Sequence, residues 1–204
     1  MTGKYPSKSF KDAVEAISSL PGVGSRGALR LVLHLLRQPS ENVHHLAEAI
    51  SGLADNVHYC KTCMMVSDGD SCSICSDPRR DHSTICVVEN VRDVMRIEET
   101  GQYHGVYHVL GGIISPINGI GPSDITVREL VERLRQADGP VEVIFALSGS
   151  VEGETTAFYI YRQIEGLGVK VSTLARGLSF GADLEYADSL TLGRSIIDRQ
   201  IFKP

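Results

Sequence analysis

Four cysteines place the strongest constraint on how this chain can fold. Cys60-Lys-Thr-Cys63 and Cys72-Ser-Ile-Cys75 are two CxxC knuckles separated by eight residues. Two such knuckles bring four thiolates around one point, which suits the tetrahedral demand of zinc and leaves no position open for water. A closed shell of this kind is structural, not catalytic. The segment also needs a metal, because only Met64, Met65, Val66 and Ile74 offer apolar filling between residues 57 and 78. Zinc binding worth on the order of 10 kcal/mol orders a segment that hydrophobic burial cannot. The competing readings are two disulfides or a redox dithiol, which a reducing compartment and the repeated knuckle spacing disfavour. His58 and His82 are alternate ligands only if a cysteine is not used, and Cys86 reads as a small core residue of an apolar strand.

The rest of the chain has the composition of a folded protein. Of 204 residues, 42% are hydrophobic and 22% charged, which disfavours long disorder. No run approaches the roughly 18 apolar residues that span a bilayer, and MTGKYPSKSF contains no apolar signal-peptide core. A soluble, cytoplasmic protein with no membrane partner is expected. Net charge is −5, but it is unevenly spread. Residues 1–40 carry Lys4, Lys8, Lys11, Arg26, Arg30 and Arg37 against Asp12 and Glu15, a balance of +4, and the remainder carries −9. A basic head on an acidic body meets a polyanion at its N-terminal end.

Periodicity divides the chain into an α+β assembly of several modules. Phe10, Val14, Ile17 and Leu20 recur at helical spacing, as do Leu29, Val32, Leu33 and Leu36, then Val43, Leu46, Ile50 and Leu53. From about residue 82 short β-branched runs alternate with helical stretches near 90–99, 124–137 and 155–166. The runs are Ile85–Val88, Val106–Leu110, Val141–Leu147 and Val169–Leu174. Such alternation predicts a mostly parallel sheet covered on both faces. Gly111–Pro122 is expected to be a long structured loop. The expected division is a helical region at 1–56, a zinc knuckle at 57–78, an α/β domain at 79–178 and a C-terminal segment at 179–204 that packs on the α/β domain or in oligomer contacts.

Leu20-Pro-Gly22-Val-Gly24-Ser-Arg26-Gly27 matches GxGxxG, but a dinucleotide fingerprint needs a preceding strand. The preceding Asp12–Ser19 is helix-forming instead. Helix, Leu-Pro-Gly-Val-Gly, helix resembles the helix-hairpin-helix motif that grips DNA backbones. Gly22 and Gly24 allow the tight turn, and the next helix offers free N–H groups and its positive end to a phosphate. Arg26 and Arg30 lie four apart on one face and reach neighbouring phosphates. Backbone contacts carry no sequence information, so binding is expected to be non-specific and salt-sensitive.

Glu89 ends the strand Ile85–Val88, and Ser148-Gly-Ser150-Val-Glu152-Gly-Glu154 follows the strand Val141–Leu147. This pattern resembles the Toprim domain of topoisomerases and primases, whose catalytic members hold magnesium with a Glu, an Asp-x-Asp pair and a trailing Gly-Glu. Glu89 fits the first position and Gly153-Glu154 the last, but Ser148 and Ser150 stand at the two aspartate positions. Hydroxyls are poor magnesium ligands, and without that charge little stabilises a phosphoryl transition state. Glu89, Glu152 and Glu154 are then expected to serve a partner or to bind metal weakly. No G-x-x-x-x-G-K-[ST] occurs, so no P-loop hydrolysis is expected. A metal-dependent Toprim nuclease or primase is the alternative to a non-enzymatic reading.

Helix-hairpin-helix, four-cysteine knuckle and degenerate Toprim, in that order, resemble the RecR family of recombination mediators over essentially the whole chain. Tyr107–Pro116 (YHVLGGIISP), Gly119-Ile-Gly-Pro122, Val151-Glu-Gly-Glu154, Ala175-Arg-Gly-Leu178 and Leu184-Glu-Tyr-Ala-Asp188 carry the resemblance further. Asn118 stands where that family usually has Asp, Ser148-Gly-Ser150 replaces Asn-Pro-Thr, and Ser25 and Gly27 replace Pro and Ser. The resemblance implies a cytoplasmic repair protein without its own catalysis, a ring-like tetramer around DNA that works with RecO and RecF to load RecA on gapped single-stranded DNA. Independently, one hairpin with two arginines on a net-acidic chain should bind DNA feebly, and joining several in one particle raises avidity without new contacts. The zinc knuckle, between head and body in the chain, is expected to act as a rigid joint.

Overall fold

Four short runs rich in β-branched residues find their hydrogen bonds in one another. In the computed structural model, which describes residues 5, 7–175, 177–178, 183–197 and 199, they form a four-stranded sheet. Its strands are β3 (Asp81–Val88), β4 (Gly105–Val109), β5 (Glu142–Ala146) and β6 (Lys170–Thr173), in the order β4-β3-β5-β6. Every pairing is parallel, as expected for strands joined by helical crossovers. Cys86 pairs with Tyr107 on one side and Ile144 on the other.

Side chains alternate between the two faces. Ile85, Val87, Val106, Val143 and Phe145 face one core, closed by Leu130 and Leu134 of α5 (Val127–Arg135) and by Ile160 and Ile164 of α6 (Val151–Ile164). Cys86, Val88, Tyr107 and Val109 face the other, closed by Val94 of α4 (Val91–Glu99) and by Met64, Met65 and Ile74 of the cysteine segment. Cys86 is therefore core, with burial pushing its thiol up to about 12. The loop after β4 is structured by 3-10 turns at Pro116–Asn118 and Pro122–Asp124 and by a bridge between Ser115 and Ile120.

A parallel sheet exposes unpaired groups at its edge unless something covers them. Here the outer edge of β4 is covered along its length. The Arg80 guanidinium donates to Gly105 O at 3.3 Å, Arg133 Nη1 donates to Tyr107 O at 2.7 Å, and Val109 N donates to Cys63 O at 2.8 Å. Arg80 also forms a bidentate pair with Glu98 of α4, whose carboxylate accepts the Tyr107 hydroxyl at 2.6 Å. The adjacent Arg80 holds the Glu98 carboxyl below the usual range, against the opposing effect of burial.

By density of contacts the chain divides into two units, Met1–Val57 and His58–Pro204. The first contains α1 (Lys8–Ser18), α2 (Ser25–Leu35) and α3 (Ser40–Asn56). The Ser7 side chain caps α1 by accepting from Phe10 N at 3.1 Å. Its small core is Val14, Ala28 and Val32, from α1 and α2 alone. The apolar stripe of α3 differs from this pattern: no residue of that helix is buried, and Leu46, Ile50 and Leu53 are 43%, 60% and 64% exposed. The second unit also holds the hairpin β1 (His58–Tyr59) with β2 (Val66–Ser67), and α7 (Ser189–Ile197). Lys4, Arg176, residues 179–182 and residues 200–204 lie outside the described residues. Among the described residues no helix is long and apolar enough to cross a membrane.

His108 on β4 is completely buried, with Nε2 2.9 Å from Thr126 O and 3.1 Å from Thr126 Oγ1. Burial pushes its pKa down to about 4, outweighing the Thr126 carbonyl. Since the unfolded chain protonates first, near its ordinary value of about 6.5, stability from neutral His108 is complete above that pH. It declines as pH falls towards about 4, by up to about 3 kcal/mol. Urea unfolding between pH 7 and 4 should therefore be flatter in His108→Gln than in the unaltered protein by about one proton, and parallel curves would contradict the assignment.

Candidate functional site

The cysteine segment folds as two turns facing one another. Met64 N donates to Cys60 O at 2.9 Å and Cys60 N donates to Met65 O at 2.7 Å, closing the first knuckle. Cys75 N donates to Cys72 Sγ at 3.4 Å in the second. Met64 adopts φ +61°, a left-handed conformation costly for a side chain with a Cβ. All four sulfurs lie within 4.8 Å of one another, and among the described residues this is the one His, Cys, Asp or Glu group placed to hold a metal ion. Cys63 and Cys72 sulfurs stand 3.5 Å apart, beyond disulfide bonding at about 2 Å, and all five cysteines are free thiols.

The electrostatics of these thiols favour a cation. A hydrogen bond to Cys75, followed by burial, pushes the Cys63 thiol up, and burial pushes Cys72 up. Cys60 also suffers desolvation, but backbone N–H groups of Cys72, Thr62 and Cys63 bring it down to about 6. One thiolate is thus readily held and its neighbours resist. Four together need a divalent ion, and a soft, tetrahedral, all-sulfur donor set fits zinc. Arg133, whose charge is disfavoured mainly by burial, is supported by the sulfurs of Cys75, Cys63 and Cys60. Neither His58 nor His82 joins the cluster.

The glycine turn lies in the helical unit. Gly22 has φ +80°, and nothing lies within 4 Å of where a Cβ would stand, so the backbone conformation, not crowding, calls for glycine. Gly24 is the N-cap of α2 and supplies no side-chain acceptor, which leaves the first-turn N–H groups of the helix open at its positive end. Arg26 and Arg30 line one hollow of about 410 Å³ on α2, as the spacing predicts. His34 and Arg37 line it too. Arg37 follows Arg26 by three helical turns, a signal visible in the sequence but counted there only as net charge.

The acidic loop joins the C-terminal ends of β3 and β5, the switch point of the sheet. Glu89 Oε1 accepts from Ser148 N at 2.6 Å. Ser148 and Ser150 hydroxyls are 2.9 Å apart, and Ser150 Oγ caps α6 by accepting from Gly153 N at 3.0 Å. A Cβ on Gly153 would stand 2.2 Å from Ser148 O, so this glycine is required by close approach. Glu152 and Glu154 occupy the first turn of α6. With Glu89 they make no metal-holding group among the described residues. The Ser148 and Ser150 hydroxyls meet one another within this turn.

Comparisons with known proteins agree across the whole chain. A family model described as RecR, helix-hairpin-helix matches residues 10–53, a Toprim domain model matches 83–175, and a model described as RecR, C-terminal matches 177–200. The chain is 54% identical to the recombination protein RecR of Bacteroides thetaiotaomicron, covering 99% of this chain and 98% of that one. It is 52% identical to those of Porphyromonas gingivalis (99% and 97% covered) and Flavobacterium johnsoniae (98% and 97%).

Metal content gives a direct check on the cysteine cluster. One equivalent of zinc per chain is expected by elemental analysis. Cys63→Ser should bind it far more weakly, and chelation should lower the thermal midpoint of the second unit. Full stability after complete metal removal would contradict a structural role.

Proposed function

Because the chain belongs to the RecR family of recombination proteins, we propose that it is a non-catalytic DNA-binding mediator of recombinational repair. In this reading it is cytoplasmic, carries zinc at Cys60, Cys63, Cys72 and Cys75, and acts as an oligomeric clamp with RecO and RecF to load RecA on gapped single-stranded DNA. The observation that carries it is the cationic face of α2 behind an uncapped glycine turn. Open N–H groups and Arg26 and Arg30, with Arg37 beyond them, present a row of donors to successive phosphates. Since phosphates are common to all sequences, recognition is of DNA as a polyanion.

The loop at Glu89, Ser148 and Ser150 supports the absence of catalysis. A carboxylate already accepting a backbone N–H, beside two hydroxyls, lacks the charge that holds magnesium. In this reading Glu89, Glu152 and Glu154 serve a protein partner or bind metal weakly. The apolar stripe of α3 supports assembly into a ring, because Leu46, Ile50 and Leu53 expose surface that a second copy would bury.

Two measurements test this reading. Arg26→Ala/Arg30→Ala should weaken binding and lower the slope of log affinity against log salt by roughly 1.5 to 2, for two lost phosphate contacts. Unchanged affinity would remove the hairpin from DNA binding. Ile50→Asp/Leu53→Asp should reduce the mass measured by light scattering and, with it, DNA affinity by about tenfold or more, since linked sites act together. A dilute monomer binding as tightly as the oligomer would sink the clamp.

A further inference from the structure

A cavity in the His58–Pro204 unit, apart from the four sulfurs and the Ser148–Ser150 turn, has a volume of about 440 Å³. Its floor is Val109, the last residue of β4, and the buried Leu110 that follows it. One wall is the zinc hairpin, presenting Tyr59 and Met64, and another is the start of α4, presenting Asn90 and Arg92. Asp124 and Thr126 complete it.

These walls are fixed to one another. Val109 N donates to Cys63 O at 2.8 Å and Met64 N to Cys60 O at 2.9 Å, tying the hairpin to the floor. Thr126 N donates to Leu110 O at 3.0 Å and its hydroxyl to Val109 O at 2.7 Å, tying the third side. The left-handed backbone at Met64 is held by the same knuckle. Such a cavity is formed before any ligand arrives, which lowers the ordering cost of binding.

Its chemistry narrows the occupant. Tyr59 is 69% exposed and has no ring contact with another aromatic among the described residues. The Tyr59 hydroxyl, the Arg92 guanidinium and the Asn90 carboxamide NH₂ have no hydrogen-bond or ion-pair partner among the described residues, although Asn90 Oδ1 accepts from Arg92 N at 2.9 Å. The α4 terminus is thereby capped, so charge recognition falls to the Arg92 side chain. The one carboxylate of the lining, Asp124, accepts from Gly121 N at 2.8 Å. The apolar floor, open aromatic face, unused donors and Arg92 cation suit a flat, acceptor-rich group whose phosphate lies on the Arg92 side. The volume suits one nucleotide and is short for a multi-residue peptide.

The geometry points to a single-nucleotide slot, in which one unstacked base of single-stranded DNA lies against Tyr59 and Met64 while Arg92 meets its phosphate. This rests on the DNA-binding reading above and adds a base contact to one otherwise made through phosphates. Base–aromatic stacking is tolerant of sequence, so the slot distinguishes unpaired from paired DNA without reading a code.

The test compares the full-length protein on an oligo-dT and an abasic oligonucleotide of equal length and phosphate count. The unaltered protein should prefer oligo-dT by about tenfold or more, the scale of one stacked base. Tyr59→Ala should bring that ratio towards one, and Tyr59→Phe should retain it. Arg92→Gln should weaken both ligands and lower the salt slope by about one. Zinc content and thermal midpoint, measured for each variant, verify that the hairpin remains folded. A ratio near one in the unaltered protein, with binding still abolished by Arg26→Ala/Arg30→Ala, overturns the slot alone, as does a ratio that survives Tyr59→Ala. Failure of both oligonucleotides to bind overturns the slot and the DNA reading together.

Discussion

The hydrogen bond from Val109 N to Cys63 O joins the four-cysteine segment of the second unit to the part held by apolar burial. β4 is an edge strand, and its outer row would be open to pairing with another chain. Cys63 takes the last donor of that row, Arg133 and Arg80 the carbonyls before it. The cysteine knuckle therefore acts less as an independent finger than as the cap of a sheet. Its Met64, Met65 and Ile74 fill the face that α4 leaves uncovered.

Arg133 links this arrangement to charge. Four thiolates around a divalent ion retain a net negative charge, and a guanidinium anchored on Tyr107 O sits where the sulfurs of Cys75, Cys63 and Cys60 favour it. A buried cation left without such partners is costly. The same side chain thus closes a strand edge and stands where it would offset the charge of four thiolates around a divalent ion. Burial of His108 one residue further along β4 adds a group that resists protonation in the same region.

The acidic loop and the hairpin differ in how their chemistry is laid out. At the loop, local bonds engage the polar groups: Glu89 Oε1 accepts from Ser148 N, and Ser150 Oγ accepts from Gly153 N in the first turn of α6. At the hairpin the opposite holds. Gly24 contributes no cap, and the arginines face a hollow. One site is closed on itself, and the other leaves helix N–H groups and arginine side chains open to an anion.

Much of this was legible in the residues themselves. CxxC spacing is a local constraint, so the four sulfurs meet with little help from the rest of the chain. Continuous β-branched runs and period-3.6 apolar patterns mark which segments become strands and helices, so β3 to β6 and α1 to α6 fall close to their expected spans. Arg26 and Arg30 share a face because a helix repeats every 3.6 residues. Other features depend on residues distant in sequence and could not be read along it. Nothing near Arg133 marks it as the partner of a strand edge 26 residues away. The stripe of α3 announces a helix but not that the helix stays uncovered, because periodicity records which face is apolar and not what covers it. The sequence determined which groups could meet a metal and a phosphate. Only the tertiary structure, by bringing hairpin, β4 and α4 together around one cavity, decided where Tyr59, Asn90 and Arg92 would share a common space.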